Sequence, residues 1–342
     1  MTKKLQRIHE QLRTSKTEDG RILFHPILMM HAAHLCNYTY EQFMSEGRVL
    51  VETNLRALEL YDHDAVSTIS DPYRETSAFG AALRFNGNDA PRADVLVHTP
   101  EDVERLQCPD VYASPRTLDR ILAGEKFRKE LGQHFPVIGW IEGPMAEASD
   151  LMGMSELMMN AMLNPDMIQA LTAKTLQTAK DFAGAQIKAG ANIIGVGDAI
   201  CSQIQPEMYD EFCHEGHKKL FDYIHSLGAL VKLHICGDIS HILPYLAHED
   251  IDILDVDWMI NMHTAHEAMG SDVMICGNLD PVSVILNGDK TLILEKFLEA
   301  KSVVPADNWI LMAGCEIPMY TPQENMKYLR EISMKRYYEC PN

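Results

Sequence analysis

Short apolar runs recur along the chain, and longer stretches between them repeat apolar residues every three or four positions. Each run is rich in Val, Ile or Leu and is nearly uninterrupted, which is typical of parallel strands buried on both faces. The longer stretches have the period of amphipathic helices. The predicted strands are residues 22–29, 65–69, 136–141, 192–196, 229–233, 251–256, 273–276 and 309–312.

Proline and glycine mark the boundaries of several helices. Pro165 and Pro322 stand where a first helical turn accepts proline, because the missing N–H is not needed there. Gly190 and Gly228 follow the last turns, where helices commonly end at glycine. The predicted helices cover residues 40–61, 166–189, 206–227, 291–301 and 322–338.

The alternation of eight strands with helices predicts the fold class. It is the count of an α/β protein built as a (β/α)8 TIM barrel, with 1–342 forming a single domain. The first 20 residues are predicted to be a helical lead-in. Residues 70–135 are predicted to be an insertion after the second strand, with a hairpin around Asn86-Gly87-Asn88. An open doubly wound sheet is the alternative, but no G-x-G-x-x-G motif follows the first strand.

Charge and composition narrow the class of function. The chain has 49 acidic and 30 basic residues, a net charge of −19, which disfavours binding to nucleic acid or to anionic membranes. We find no apolar run long enough for a membrane span and no secretory signal. Eight cysteines in 342 residues are too dilute for a disulfide framework. We therefore expect a cytoplasmic protein, whose cysteines are free, metal-bound or catalytic.

The residues just after the predicted strands include a candidate metal site. In a barrel these positions meet at the carboxyl end, where the chemistry takes place. His234 and Cys236 are two residues apart at the end of the fifth strand and so point to the same side. Cys315 ends the eighth strand. One imidazole and two thiolates match catalytic zinc, which uses three protein ligands; the alternative is a core histidine beside buried cysteines.

Two carboxylates at the same end of the barrel are candidate catalytic residues. Glu142 follows the third strand and precedes Gly143-Pro144, where burial raises the pKa of a carboxyl group. It can be a proton donor, a fourth metal ligand or a helix N-terminal carboxylate. Asp71 follows the second strand and is predicted to contact a polar substrate.

Other polar residues near the strand ends are assigned to substrate binding, although Asp198 can equally cap the segment that follows it. Cys213 and His217 lie four apart in a predicted helix, a spacing that can hold a metal. We interpret them instead as part of a solvated helix face. The predicted substrate-binding residues are His31, Asp198, Asp257 and Asn278.

Four motifs resemble the uroporphyrinogen decarboxylase superfamily, and more narrowly its cobalamin-dependent methyltransferase branch. The resemblance spans residues 20–330 and implies a distorted barrel with zinc held at His234, Cys236 and Cys315. It also implies a corrinoid carried on a partner protein. The motifs are Ser70-Asp71 with Ala78-Phe79-Gly80, the run Lys232-Leu-His-Ile-Cys-Gly237, Gly277-Asn278-Leu279-Asp280-Pro281, and Ala313-Gly-Cys-Glu-Ile-Pro318.

The resemblance leaves three functions open. The first is zinc-assisted transfer of a methyl group between a small methylated substrate or a thiol and a corrinoid protein, in either direction. The second is decarboxylation of a porphyrin, with Asp71 stabilising the intermediate. The third is non-catalytic binding of a tetrapyrrole or corrinoid. Residues 29–34 contain no Arg where the decarboxylases carry an Arg-rich loop that grips carboxylates, so methyl transfer is favoured.

Overall fold

The computed structural model describes residues 2–12 and 21–335. Its central feature is one sheet of eight parallel strands, accompanied by a separate two-stranded antiparallel hairpin. All eight strands predicted from the apolar runs are confirmed. The strands are β1 (Leu23–Phe24), β2 (Val66–Ser67), β3 (Leu83–Arg84), β4 (Arg92–Ala93), β5 (Val137–Glu142), β6 (Ile193–Gly197), β7 (Leu230–Ile235), β8 (Ile253–Val256), β9 (Met274–Leu279) and β10 (Trp309–Ala313).

Helices follow the strands and cover the sheet. Short 3-10 segments lie at Ala199–Gln203 and Ala306–Asn308, and π-helical segments at Asp210–His214 and Pro281–Leu286. The α-helices are α1 (Lys3–Leu12), α2 (Met30–Leu35), α3 (Tyr40–Ser45), α4 (Gly47–Tyr61), α5 (Arg74–Ala78), α6 (Pro100–Arg105), α7 (Pro115–Leu131), α8 (Pro144–Met152), α9 (Met154–Leu163), α10 (Pro165–Lys188), α11 (Pro206–Tyr209), α12 (Glu215–Ser226), α13 (Leu243–Leu246), α14 (Met262–Met269), α15 (Lys290–Val303) and α16 (Gln323–Met334).

The large sheet has the order β1-β10-β9-β8-β7-β6-β5-β2, which places the first two barrel strands at its edges. Asp64 joins these edges. Its backbone N–H donates to the Phe24 carbonyl at 2.8 Å, and its carboxylate accepts from the Phe24 N–H at 2.8 Å. Arg21 and Arg330 contact the same carboxylate at 2.8 and 3.0 Å. The fold is therefore the predicted distorted (β/α)8 barrel, with a side-chain seam between β1 and β2.

Two apolar cores stabilise the barrel. Side chains that point outward from the strands pack against the surrounding helices, and inward-pointing ones fill the barrel itself. Leu5, Ile8 and Leu12 on one face of α1 belong to the inner core, so the predicted helical lead-in is confirmed where it is described.

Among the residues that the structure describes, no helix combines the length and apolarity that a membrane span requires.

The helix predicted over 40–61 is wrong as a single element, because the chain breaks at Glu46. Glu46 is extended, and Gly47 then begins α4. The Gly47 N–H donates to Asp119 Oδ1 at 2.9 Å, and a Cβ on Gly47 would come within 2.8 Å of that oxygen. Close packing on α7 thus overrides the helical period. The end of the helix predicted to reach residue 338 lies outside the described residues.

The segment after the second strand contains the predicted hairpin. Strands β3 and β4 pair antiparallel around Asn86-Gly87-Asn88. The Gly87 carbonyl accepts from the Glu41 N–H at 2.8 Å, which ties the hairpin to α3. Helix α7, at the end of the same segment, packs on α4, α10 and β5 and so lies in the outer ring of helices. The chain that follows the hairpin is tied to α8 near its start, where the Val97 N–H donates to the Leu151 carbonyl at 3.0 Å.

Candidate functional site

Three side chains from two strand ends meet at the carboxyl end of the barrel. His234 is on β7 and points inward, and Cys236 follows the same strand on the same side. Cys315 follows β10. His234 Nε2 lies 3.0 Å from Cys236 Sγ and 3.9 Å from Cys315 Sγ, and the two sulfurs are 3.7 Å apart. The structure therefore brings the pair His234 and Cys236 together with Cys315, which lies 79 positions beyond Cys236.

These distances fit a zinc ion. Tetrahedral zinc with ordinary bond lengths separates two sulfurs by about 3.8 Å and a sulfur from a nitrogen by about 3.6 Å. The observed sulfur–sulfur distance of 3.7 Å matches, and the two nitrogen–sulfur distances of 3.0 and 3.9 Å lie on either side of the ideal value. Three protein donors, of which both cysteines are partly exposed, form the pattern of a catalytic zinc centre.

A buried carboxylate supports the histidine from below. Asp255 on β8 is in register with His234, and its Oδ2 lies 3.4 Å from His234 Nδ1 and 2.9 Å from the Lys232 ammonium nitrogen. A carboxylate behind a metal-bound imidazole fixes the tautomer and the orientation of the ring. The sequence analysis gave Asp255 no role. The feature of the sequence that could have indicated a role for Asp255 is a charged residue inside an otherwise apolar strand.

The electrostatics of the cluster favour a thiolate. A hydrogen bond from Cys236, followed by contacts with His234, lowers the pKa of Cys315 to about 4. Burial alone would lower the pKa of His234, but the Cys236 sulfur and Asp255 outweigh it and raise that pKa well above its ordinary value. A sulfur that gives up its proton easily is the form that metals bind.

Glu142 lies in a second group of buried carboxyls near β5, and it is not among the three clustered donors. Its Oε1 accepts from Arg74 Nη2 at 3.0 Å, and its backbone N–H donates to Glu75 Oε1 at 2.9 Å. Burial raises the pKa of Glu142 well above the usual range, and Glu75 and Asp150 raise it further, while Arg74 opposes them. Burial thus favours the protonated form of this carboxyl, which is the form that a proton donor needs, whereas Arg74 favours the ionised form. Its catalytic role stays a prediction.

Asp71 is held by a cation that the sequence analysis did not pair with it. Both of its oxygens accept from Arg116, at 3.1 and 2.7 Å, and Ser70 Oγ donates to Oδ2 at 2.8 Å. Burial would raise the pKa of Asp71, but Arg116 outweighs it and lowers that pKa to about 2. Asp71 is therefore an ionised carboxylate whose hydrogen-bonding capacity is largely used within the protein. The predicted catalytic role remains to be tested.

Two of the predicted substrate-binding residues fix the loops beside Cys236. Asp257 accepts from the Gly237 N–H and the Trp258 N–H, both at 2.6 Å. Asn278 Nδ2 donates to the Asp257 carbonyl at 3.0 Å and to the Ile260 carbonyl at 2.6 Å. Contact with a substrate stays a prediction for both residues, while their structural contacts hold the loops after β7 and β8 in place.

The other two predicted binding residues are buried. His31 is 1% exposed, and its ring nitrogens lie 3.1 Å from the Met319 carbonyl and 2.8 Å from Tyr61 Oη. Burial lowers the pKa of His31 to about 4, so its ring is neutral. Asp198 is 0% exposed, and its Oδ1 accepts from the Ala146 N–H at 2.8 Å. Substrate contact by either residue remains untested, and in this structure neither presents surface to solvent.

Comparison with known proteins gives a family match over nearly the whole chain. The family model described as uroporphyrinogen decarboxylase (URO-D) matches residues 6–335. A uroporphyrinogen decarboxylase from Nostoc punctiforme is 26% identical over 296 residues, which are 83% of this chain and 82% of that protein. The methylcobamide:CoM methyltransferase MtbA of Methanosarcina mazei is 27% identical over 279 residues, 80% of each chain.

Solved structures agree on the fold. A methyltransferase from Methanosarcina mazei superposes with a TM-score of 0.85 at 21% identity, over 96% of this chain and 98% of that chain. A B12-independent methionine synthase from Shewanella superposes with a TM-score of 0.58 at 14% identity, over 92% and 95% of the two chains. At these identities the likeness establishes the barrel architecture.

Proposed function

Because the chain belongs to the uroporphyrinogen decarboxylase family, we propose that it is a zinc-dependent methyltransferase of that family. It would move a methyl group between a small methylated substrate or a thiol and a corrinoid carried by a partner protein. The observation that carries the proposal is the cluster of His234, Cys236 and Cys315 at distances that suit one zinc ion. The free thiols of this cluster require a reducing compartment, so we also infer a cytoplasmic location.

Relatives with both activities match the chain at similar identity, so the site must decide between them. The three-donor cluster supports the methyltransferase alternative, since two thiolates and an imidazole suit zinc. Two observations count against porphyrin decarboxylation. Residues 29–34 contain no Arg to pair with substrate carboxylates. Asp71, the expected catalytic carboxylate, is held on both oxygens by Arg116.

Each part of the site has a distinct task in this proposal. His234, Cys236 and Cys315 would hold zinc, and Asp255 would hold the His234 ring in place. Zinc bound there would act as a Lewis acid toward a thiol or toward the heteroatom of a methylated substrate. Glu142, whose burial favours the protonated form, would give a proton to a leaving oxygen or nitrogen, and Arg74 would stabilise the carboxylate left behind.

The test combines zinc analysis with turnover. The purified chain is assayed with cob(I)alamin and a panel of methylated donors, and with methylcobalamin and a panel of thiols. We call His234, Cys236 and Cys315 the rim cluster, and the zinc that it would hold the rim zinc. Cys315→Ser should lose the rim zinc and reduce methyl transfer by roughly a thousandfold, because a Lewis-acid metal is worth several kcal/mol in the transition state. Cys108→Ser, which removes an exposed cysteine away from the cluster, is the matched control and should behave as the wild type.

Two results would contradict the proposal. One is a wild-type protein that transfers no methyl group with any partner in either panel and releases carbon dioxide from a porphyrinogen. The other is a Cys315→Ser variant that keeps both the rim zinc and full methyl transfer.

A further inference from the structure

A second cluster of potential ligands lies behind the first, between the loop after β6 and the long helical stretch of 206–226. It consists of Asp198, Cys201, Cys213 and His217, which we call the inner cluster. The first, second and fourth of these are 0% exposed, and Cys213 is 3% exposed. The sequence interpretation of Cys213 and His217 as a solvated helix face is therefore wrong. The π-helical segment Asp210–His214 lies directly before α12, which carries His217.

The ligand atoms of Asp198, Cys201 and His217 converge, and Cys213 contacts this group through Cys201. Asp198 Oδ2 lies 3.0 Å from His217 Nε2, and the sulfurs of Cys201 and Cys213 are 3.7 Å apart. The ligand atoms of Asp198, Cys201 and His217 all lie within 4.8 Å of one another. For tetrahedral zinc, the expected separations are about 3.8 Å between two sulfurs and about 3.3 Å between an oxygen and a nitrogen. Both measured separations are close to these values.

The contacts of His217 are compatible with a metal ion at this point. Tyr209 Oη lies 3.1 Å from Glu249 Oε1 and 2.9 Å from His217 Nδ1, and its one hydrogen can go to either of them. When the hydroxyl donates to Glu249, a neutral His217 carries its hydrogen on Nδ1 and directs the lone pair of Nε2 at the carboxylate oxygen of Asp198. Two lone pairs facing each other at 3.0 Å repel unless a proton or a metal ion lies between them.

We propose that the inner cluster binds a second zinc ion, held by Asp198, Cys201, Cys213 and His217. Two thiolates, one imidazole and one carboxylate are donors that zinc prefers, and four protein ligands make a closed, structural site. When Tyr209 donates to Glu249, His217 has the tautomer that a metal-binding Nε2 requires.

The protein positions Asp198 for this role. Its Oδ1 accepts from the Ala146 N–H at 2.8 Å in the first turn of α8, which leaves Oδ2 directed at His217. A Cβ on Gly143 would come within 2.2 Å of Asp198 Oδ2, so only glycine admits the carboxylate here. The Asp198 N–H donates to the His234 carbonyl at 3.0 Å. Zinc in the inner cluster would thereby fix the backbone that carries the rim histidine.

The decisive experiment counts zinc in the full chain by elemental analysis after removal of loosely bound metal. The wild type should hold about two zinc ions, one for each cluster with a zinc donor set. Cys315→Ser should keep one zinc, and so should Cys213→Ser. Cys108→Ser is the control for loss of a cysteine outside both clusters and should keep two. A thiol-blocking mercurial should release the wild-type zinc in two steps, with the inner, buried zinc second.

The outcomes separate this proposal from its rivals and from the proposed function. A wild type with one zinc that Cys315→Ser removes overturns the inner site, and its lone pairs are then bridged by a proton on His217. A zinc-free inner cluster in which Cys201 and Cys213 are recovered as a disulfide also overturns it. If instead one zinc is found and only Cys213→Ser removes it, the inner site stands and the rim centre fails. The wild-type and Cys315→Ser measurements decide the matter even if Cys213→Ser does not fold.

Discussion

The rim cluster and the inner cluster use nearly the same donors but differ in access and in number. The rim cluster has an imidazole and two sulfurs at the open end of the barrel, and both of its cysteines are partly exposed. The inner cluster adds a carboxylate, and its side chains are almost completely buried. Three donors with access suit chemistry on a substrate, whereas four buried donors suit only structure. The comparison shows that cysteine and histidine content alone does not tell a reactive centre from a structural one.

The two clusters also differ in what orients their histidines. At the rim, the Asp255 carboxylate lies beneath His234 and also neutralises the buried Lys232. In the inner cluster, the neutral phenol of Tyr209 lies between His217 and Glu249, at 2.9 and 3.1 Å from them. A charged partner raises the basicity of the imidazole more than a neutral one does. The rim should therefore depend more strongly on its supporting residue.

The largest effect is expected for Asp255→Asn, which removes the charged support. Zinc affinity at the rim, or methyl transfer, should fall by roughly 10–100-fold, the range typical for such partners. The variant also leaves Lys232 buried without its counter-charge, which costs about 3–5 kcal/mol of stability. Zinc binding by competition with a chelator and thermal unfolding measure the two losses.

A double variant separates the two losses. Lys232→Met with Asp255→Leu removes both buried charges and should restore most of the thermal stability, since apolar replacement of a buried ion pair is often neutral. Rim zinc affinity should stay low. If the zinc affinity of the rim cluster recovers together with the thermal stability, Asp255 does not orient His234 and serves only as the counter-charge of Lys232.

A smaller effect is expected for Tyr209→Phe, which tests the neutral support of the inner cluster. His217 Nδ1 then has no acceptor, and zinc affinity of the inner cluster should fall by about 10-fold, the low end for a supporting residue. The rim zinc should be unaffected. Release of zinc to a colorimetric chelator, followed in the Cys315→Ser background, isolates the inner cluster. Unchanged release kinetics there would mean that the phenol plays no part in metal binding.

The smallest effect concerns a group outside both clusters. Burial, and then Glu75, raises the pKa of Asp150 to about 8. The unfolded chain ionises this carboxyl near its ordinary pKa of about 4, so the folded state is penalised increasingly as the pH rises from about 4 to about 8. Asp150→Asn removes that penalty. Its melting temperature should match the wild type near pH 4 and exceed it by a constant margin above pH 8.

The zinc content of both clusters should be the same in this variant as in the wild type. A melting temperature that rises equally at all pH values would show that Asp150 is not the group that titrates.

The rim cluster was predictable because it depends on local rules. His234 and Cys236 are two apart on a strand, and the ends of parallel strands must meet in a barrel. The inner cluster was not predictable from the sequence, because the burial of Cys213 and His217 depends on how the loop at Asp198 packs over the helical stretch of 206–226. Contacts such as Arg116 with Asp71, 45 positions apart, are likewise invisible in a single sequence. The strands were predictable from apolar runs, whereas the break at Gly47 was imposed by packing on α7.

The seam at Asp64 has a consequence for how the barrel wall moves. Elsewhere in the sheet, neighbouring strands are joined by a ladder of backbone hydrogen bonds. Between β1 and β2, the described contacts are one backbone hydrogen bond, from the Asp64 N–H to the Phe24 carbonyl, and the Asp64 carboxylate with the two arginines that contact it. Separation of β1 from β2 therefore breaks few backbone hydrogen bonds. In hydrogen–deuterium exchange, the amides of Phe24 and Asp64 should therefore exchange before those of β7 to β10. Local opening of the barrel should occur between β1 and β2, where ionic contacts join the two strands.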